Sequence, residues 1–133
     1  MPIEYSVSDD GHFIHAVAFD PVTAEDFVDY EIAHAIDERI RPPVSELFEI
    51  RRDSLKGVTR RDMEKVIERR KGLLVFHTKH RCGIVVPMDD AHTWDLAKFY
   101  EGMSILHFPE VVIVFGDGSL ARVWLGAERY GPG

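Results

Sequence analysis

The sequence predicts an α/β layered domain with a mixed, mostly parallel sheet of about five strands, a β-hairpin at its start and about four helices. Three observations carry this. Two period-two segments flank Asp9-Asp10-Gly11, and Asp-Gly is a strong hairpin signal. Segments with helical spacing then alternate with short apolar runs. Two of those runs, 82–86 (CGIVV) and 110–115 (EVVIVF), have the near-continuous hydrophobicity of buried strands.

Taken in order, Ile3, Tyr5 and Val7 alternate with Glu4 and Ser6, which predicts a half-buried strand. Residues 12–19 form the return strand, with Phe13, His15, Val17 and Phe19 on one face. Thr23 is placed to cap a helix, with Asp26 completing a capping-box-like pattern. Val28, Ile32, Ala35, Ile36 and Ile40 supply its expected apolar stripe, and Pro42-Pro43 ends it. Residues 45–50 (SELFEI) read as a strand with Leu47 and Phe48 or Ile50 buried, and a polar loop covers 51–58. Thr59 and Asp62 repeat the capping pattern ahead of Met63, Val66 and Ile67. Residues 73–76 extend that helix or pair as a strand with 82–86; periodicity does not decide between them. Asp89 or Asp90 caps a third helix over 91–103, and a short helix over 120–125 ends at Gly126. The domain is expected to span 1–126, with 127–133 a flexible tail.

At 133 residues, 45% hydrophobic and 29% charged, the chain has the size and composition of one globular domain. Its net charge of −7 argues against general nucleic-acid binding. A single cysteine, Cys82, excludes an intramolecular disulfide and fits a reducing compartment. The first residues lack a basic and an apolar leader region, and no apolar run reaches the roughly 20 residues of a membrane span. A cytoplasmic protein with no transmembrane segment is the expectation.

Charge is unevenly distributed. Residues 51–81 hold 11 of the 16 Lys+Arg and 4 of the 23 Asp+Glu. This basic island in an acidic chain can set partner choice while saying little about fold. Helix 23–40 is acidic and is expected to neutralise part of it from within.

The chain resembles the STAS-domain superfamily, the SpoIIAA-like fold of anti-sigma-factor antagonists, and within it bacterial STAS/SEC14-like small proteins. The resemblance runs from Met1 to about Gly126 and rests on the MPIEYSV opening and D-D-G turn, P-V-T-A-E-D-F, G-I-V-V-P-M-D-D, W-D-L-A-K-F-Y-E and V-V-I-V-F-G-D. It implies a long second helix ending at 73–77. It also implies a phosphorylatable serine in an Asp-Ser-Ser-Gly motif where a loop enters the second helix. That junction here is Gly57-Val58-Thr59-Arg60-Arg61-Asp62, which lacks the motif. Thr59 is the nearest hydroxyl at the helix start, and Ser54 lies earlier in the loop. A phosphoryl group on Thr59 would meet free N–H groups, with Arg60 and Arg61 beside it. The simpler role of Thr59 is an N-cap worth about 1 kcal/mol.

No catalytic signature and no cofactor motif stands out, so the expected function is non-enzymatic. It is a regulatory or protein-interaction module whose surface comprises Arg51, Arg52, Lys56, Thr59, Arg60 and Arg61, with an acidic protein as partner. Homodimerisation is a further expectation, through exposed edge strands or apolar helix faces. The alternative is a carrier or sensor of a small apolar, lipid-like ligand, with Phe76, Trp94, Phe99, Tyr100 and Phe108 lining its pocket. In the simpler reading these aromatics are core. His77, His80 and Cys82 form a weak metal-ligand candidate, one short of a structural zinc set. Asp89, Asp90, His92 and Asp95 offer carboxylates beyond a strand's carboxyl end, where α/β sheets tend to bind ligands. Helix capping accounts for the same residues more simply.

Overall fold

A computed structural model describes residues 2–72 and 80–130. Its elements run β1 (Ile3–Val7), β2 (Phe13–Ala18), α1 (Ala24–Ala35), β3 (Val44–Ile50), α2 (Arg60–Lys71), β4 (His80–Val85), α3 (Ala91–His107), β5 (Glu110–Phe115) and α4 (Gly118–Leu125). A 3₁₀ turn, Ala127–Tyr130, follows. This is the predicted α/β architecture, with five strands and four helices.

The strands lie in the order β1-β2-β3-β4-β5, with β1 antiparallel to β2 and every other pair parallel. Gly11 makes the first hairpin workable. Its φ is +79°, and a Cβ there would strike the Arg39 carbonyl. The three crossovers step the same way across the sheet, so a common right-handed sense places α1, α2 and α3 on one face. The main core lies there and joins Ala16, Phe48, Ile84 and Val112 to Phe27, Val28, Met63, Val66 and Leu96. Helix α4 covers part of the opposite face. Phe13 and Leu47 pack there against Ala121, Leu125 and Ala127. Gly83 lets α4 approach, since a Cβ at that position would come within 3.3 Å of Leu125 Cδ1.

Caps stop and start the helices as the side chains dictate. Thr23–Asp26 and Thr59–Asp62 both form complete capping boxes, and Asp90 caps α3. Gly126, left-handed at φ +67°, closes α4. The outer edge of β5 is partly covered, because Glu101 Oε2 accepts a hydrogen bond from the Val114 N–H at 2.8 Å.

Two expectations are corrected. Helix α1 ends at Ala35 rather than continuing to 40, and its buried residues are Phe27, Val28, Tyr30 and His34. Ile32 and Ile36 are exposed instead, because the inward stripe is rotated toward the aromatic side chains. Residues 127–130 are not a loose tail: Ala127 is buried, and the Tyr130 ring stacks on Phe13 at 4.8 Å while its hydroxyl donates to Asp10. Strand β4 begins at His80, ahead of the apolar run 82–86. The helix-or-strand question at 73–77 lies outside the described residues, as do Phe76 and His77.

Candidate functional site

The two ends of the parallel strands carry different chemistry. At the carboxyl end, residues 51–58 form a tightly anchored loop. The Ser54 hydroxyl donates to the Ala18 carbonyl, and the Val22 N–H donates to the Ser54 carbonyl. Asp53 is left-handed at φ +64°, and its N–H donates to Asp90 Oδ2. His92 Nε2 bridges the carbonyls of Leu55 (3.0 Å) and Val58 (2.9 Å). Ser54, Leu55 and Val58 are buried under the loop, while Arg51, Arg52, Lys56, Arg60 and Arg61 are exposed.

Much of this positive charge is answered within the chain. Arg52 pairs with Asp89 at 2.7 Å, and Arg60 grips Asp95 with two hydrogen bonds. Arg51 reaches Glu49 only at 3.9 Å. Among the described residues, Lys56 and Arg61 pair with no carboxylate. Helix α1 supplies part of the expected neutralisation, through Glu25 to Arg69 at 3.4 Å and Glu31 to Arg70 at 3.6 Å. The group Asp89, Asp90, His92 and Asp95 is therefore occupied by ion pairing, capping and loop anchoring. Thr59 is exposed, but its hydroxyl is within the capping box, 3.1 Å from the Asp62 carboxylate. A phosphoryl group there would face that like charge. The Ser54 hydroxyl is buried.

The amino end holds a cluster of which sequence reasoning named only His80 as a candidate ligand, with Cys82 and His77 rather than these partners. Glu46 stands two residues into β3, His80 and Glu110 open β4 and β5, all on the core-facing side, and their ligating atoms lie within 4.8 Å of one another. His80 Nε2 is 2.8 Å from Glu46 Oε1 and 3.5 Å from Glu110 Oε2. The Tyr30 hydroxyl donates to the other Glu46 oxygen. Arg70 projects from α2, donating to Glu110 Oε2 at 2.5 Å and to the Tyr100 hydroxyl. Its guanidinium also lies 4.4 Å over the Phe108 ring centre, which makes that aromatic a cation–π partner. Glu31 and His34 of α1 complete the wall.

Burial governs the chemistry of this cluster. The side chains of Arg70, Glu110 and Glu46 are 2%, 4% and 5% exposed. Desolvation raises the Glu31 pKa and also opposes ionisation of Glu46, yet the hydrogen bond and charge of His80 hold the Glu46 carboxyl well below its usual range. Burial likewise opposes the charged His80 ring, but Glu46 and Glu110 push its pKa up to about 9. Burial pushes the Cys82 thiol well up, so it is a small core residue rather than a thiolate ligand.

Trp94, Phe99 and Tyr100 pack against the main core as partly buried residues. Of these only Tyr100 lines the cavity between helices and sheet, which is about 40 Å³ and is lined mainly by apolar groups with Glu31 and Glu46 at its wall. It has room for a few waters, whereas small-molecule sites start near about 300 Å³.

The cluster's carboxylates had a signal. Glu46 is in phase with Phe48 and Ile50, and Glu110 with Val112 and Val114. A carboxylate on the buried parity of a strand needs a partner. Arg70 gave a weaker one, standing four residues after Val66 on a helix whose other apolar positions are buried.

No family model, curated protein or solved structure matches the chain.

Proposed function

We propose that the chain is a non-enzymatic regulatory or protein-interaction module that docks an acidic protein surface with loop 51–58 and the start of α2. The observation that carries this reading is the anchored loop presenting Lys56 and Arg61 outward, with Arg51 beside them only loosely paired. A loop already held by hydrogen bonds from three neighbouring segments loses little freedom on binding. Rim cations of this kind act mainly on association rate and specificity. Arg52 and Arg60 contribute less, because Asp89 and Asp95 already engage them. The STAS resemblance points toward the same class, though the chain lacks the Asp-Ser-Ser-Gly motif by which antagonists of that superfamily are switched.

The apolar-carrier alternative has little in its favour, since the core cavity of about 40 Å³ is too small for an acyl chain.

The test is affinity capture from the source cells at low and moderate salt, followed by purification of the captured protein and titration. A triple variant, Arg51→Glu, Lys56→Glu and Arg61→Glu, is compared with the unaltered chain. Binding that weakens with salt and drops at least tenfold in the variant is expected. Equal affinity of the two proteins for the purified partner would overturn the reading.

A further inference from the structure

The buried cluster lies at the opposite end of the sheet from the proposed docking loop, and its chemistry is independent of it. Three carboxylates cluster here: Glu31 and Glu110 face Arg70, and Glu46 faces His80. Buried carboxylates of this kind need partners. Two neighbours already orient the carboxylates. Tyr30 takes one oxygen of Glu46 and leaves Oε1 toward His80. Arg70 holds Glu110 by both of its oxygens, with Oε2 on the His80 side. Outer hydrogen bonds of this kind commonly aim the ligands of a metal ion.

We propose that Glu46 Oε1, His80 Nε2 and Glu110 Oε2 form a binding site for a divalent first-row metal ion such as zinc or manganese. Two carboxylate oxygens and one imidazole nitrogen suit such ions. With metal–ligand bonds of about 2.0–2.2 Å, opposite ligand atoms stand up to about 4.4 Å apart. The ligating atoms here all lie within 4.8 Å of one another, with His80 Nε2 3.5 Å from Glu110 Oε2 and 2.8 Å from Glu46 Oε1, so side-chain shifts of about half an ångström or more would seat an ion between them. His80 also borders an outside groove shared with His12, Ser45 and Arg81. The Glu31 Oε2 atom is buried and accepts no hydrogen bond among the described residues, so a carboxylate oxygen is left to receive a proton or a metal-bound water.

The site is tested with the full chain and Zn²⁺ alone. After metal stripping, isothermal titration is expected to show one equivalent bound, and His80→Ala is expected to weaken it at least tenfold. His107→Ala, at an exposed position on α3, is expected to leave it unchanged. Because His80→Ala can also perturb the fold, the unaltered protein is titrated with Mn²⁺ and followed by NMR. The amides of Glu46, His80 and Glu110 are expected to broaden first. No stoichiometric binding, or binding insensitive to His80→Ala in a folded variant, would overturn the proposal. So would Mn²⁺ broadening confined to exposed histidines.

Discussion

His80 and Glu110 stand opposite one another in the β4–β5 register, with Nε2 of one 3.5 Å from Oε2 of the other, on the face of the sheet that carries the core. Adjacent parallel strands thus bring an imidazole and a carboxylate together inside the protein, 30 residues apart in sequence. The cluster they anchor ties α1 and α2 to the amino end of the sheet.

Stability of the metal-free protein is expected to fall at alkaline pH because of His80. Its pKa rises from an ordinary value near 6.5 to about 9 in the fold. A group whose folded pKa is raised contributes fully below its unfolded pKa, and the contribution is lost as pH climbs through the folded value. The window therefore runs from about pH 6.5 to about pH 9. Urea unfolding across this range is expected to show a declining advantage of the unaltered protein over His80→Gln. A pH-independent difference would mean that the ring is neutral in the fold.

Removing the charge of Arg70 is expected to be costly. Arg70→Met leaves Glu110 buried without its bidentate partner, which should destabilise by about 3–5 kcal/mol. Adding Glu110→Gln to that variant is expected to recover part of the loss, since the stranded charge is then gone. Denaturant titration of the two single variants and the double variant measures this, and strict additivity would speak against the coupling.

Gly83→Val tests the packing of α4. The new side chain would press on Leu125, Phe115 and Ala121 beneath the helix. Overpacking of this kind costs about 1–3 kcal/mol. The signal to follow is near-ultraviolet circular dichroism from Trp124, which packs in the same cluster. An unchanged spectrum with unchanged stability would show that α4 is not seated on β4 at Gly83.

Fatty acids and similar apolar ligands are expected to leave the protein unoccupied. The space between helices and sheet is about 40 Å³. Native mass spectrometry after incubation with a long-chain fatty acid is expected to show the mass of the unliganded chain. A stoichiometric adduct resistant to gentle activation would contradict the packing described.

Local sequence determined much of this protein. The Asp-Gly turn, both Thr/Asp capping boxes and the Gly126 stop are decided by side chains within a few residues of the backbone they satisfy. The order of strands and helices follows from periodicity in the same way. The basic island was equally legible as composition, but the neutralisation of Arg52 and Arg60 by Asp89 and Asp95 was not, because those partners lie 37 and 35 residues away. The buried stripe of α1 departs from the expected one at Ile32 and Ile36, since Phe27, Tyr30 and His34 offer a second inward stripe beside the aliphatic one and only the sheet selects between them. The buried cluster shows the limit most clearly. Strand parity marked Glu46 and Glu110 as inward, but only the parallel stacking of β3, β4 and β5, with α1 and α2 laid over them, set His80 and Arg70 against those carboxylates. Burial then changed what each group is. Charges that solvent would screen became, in a low-dielectric interior, partners that must answer one another.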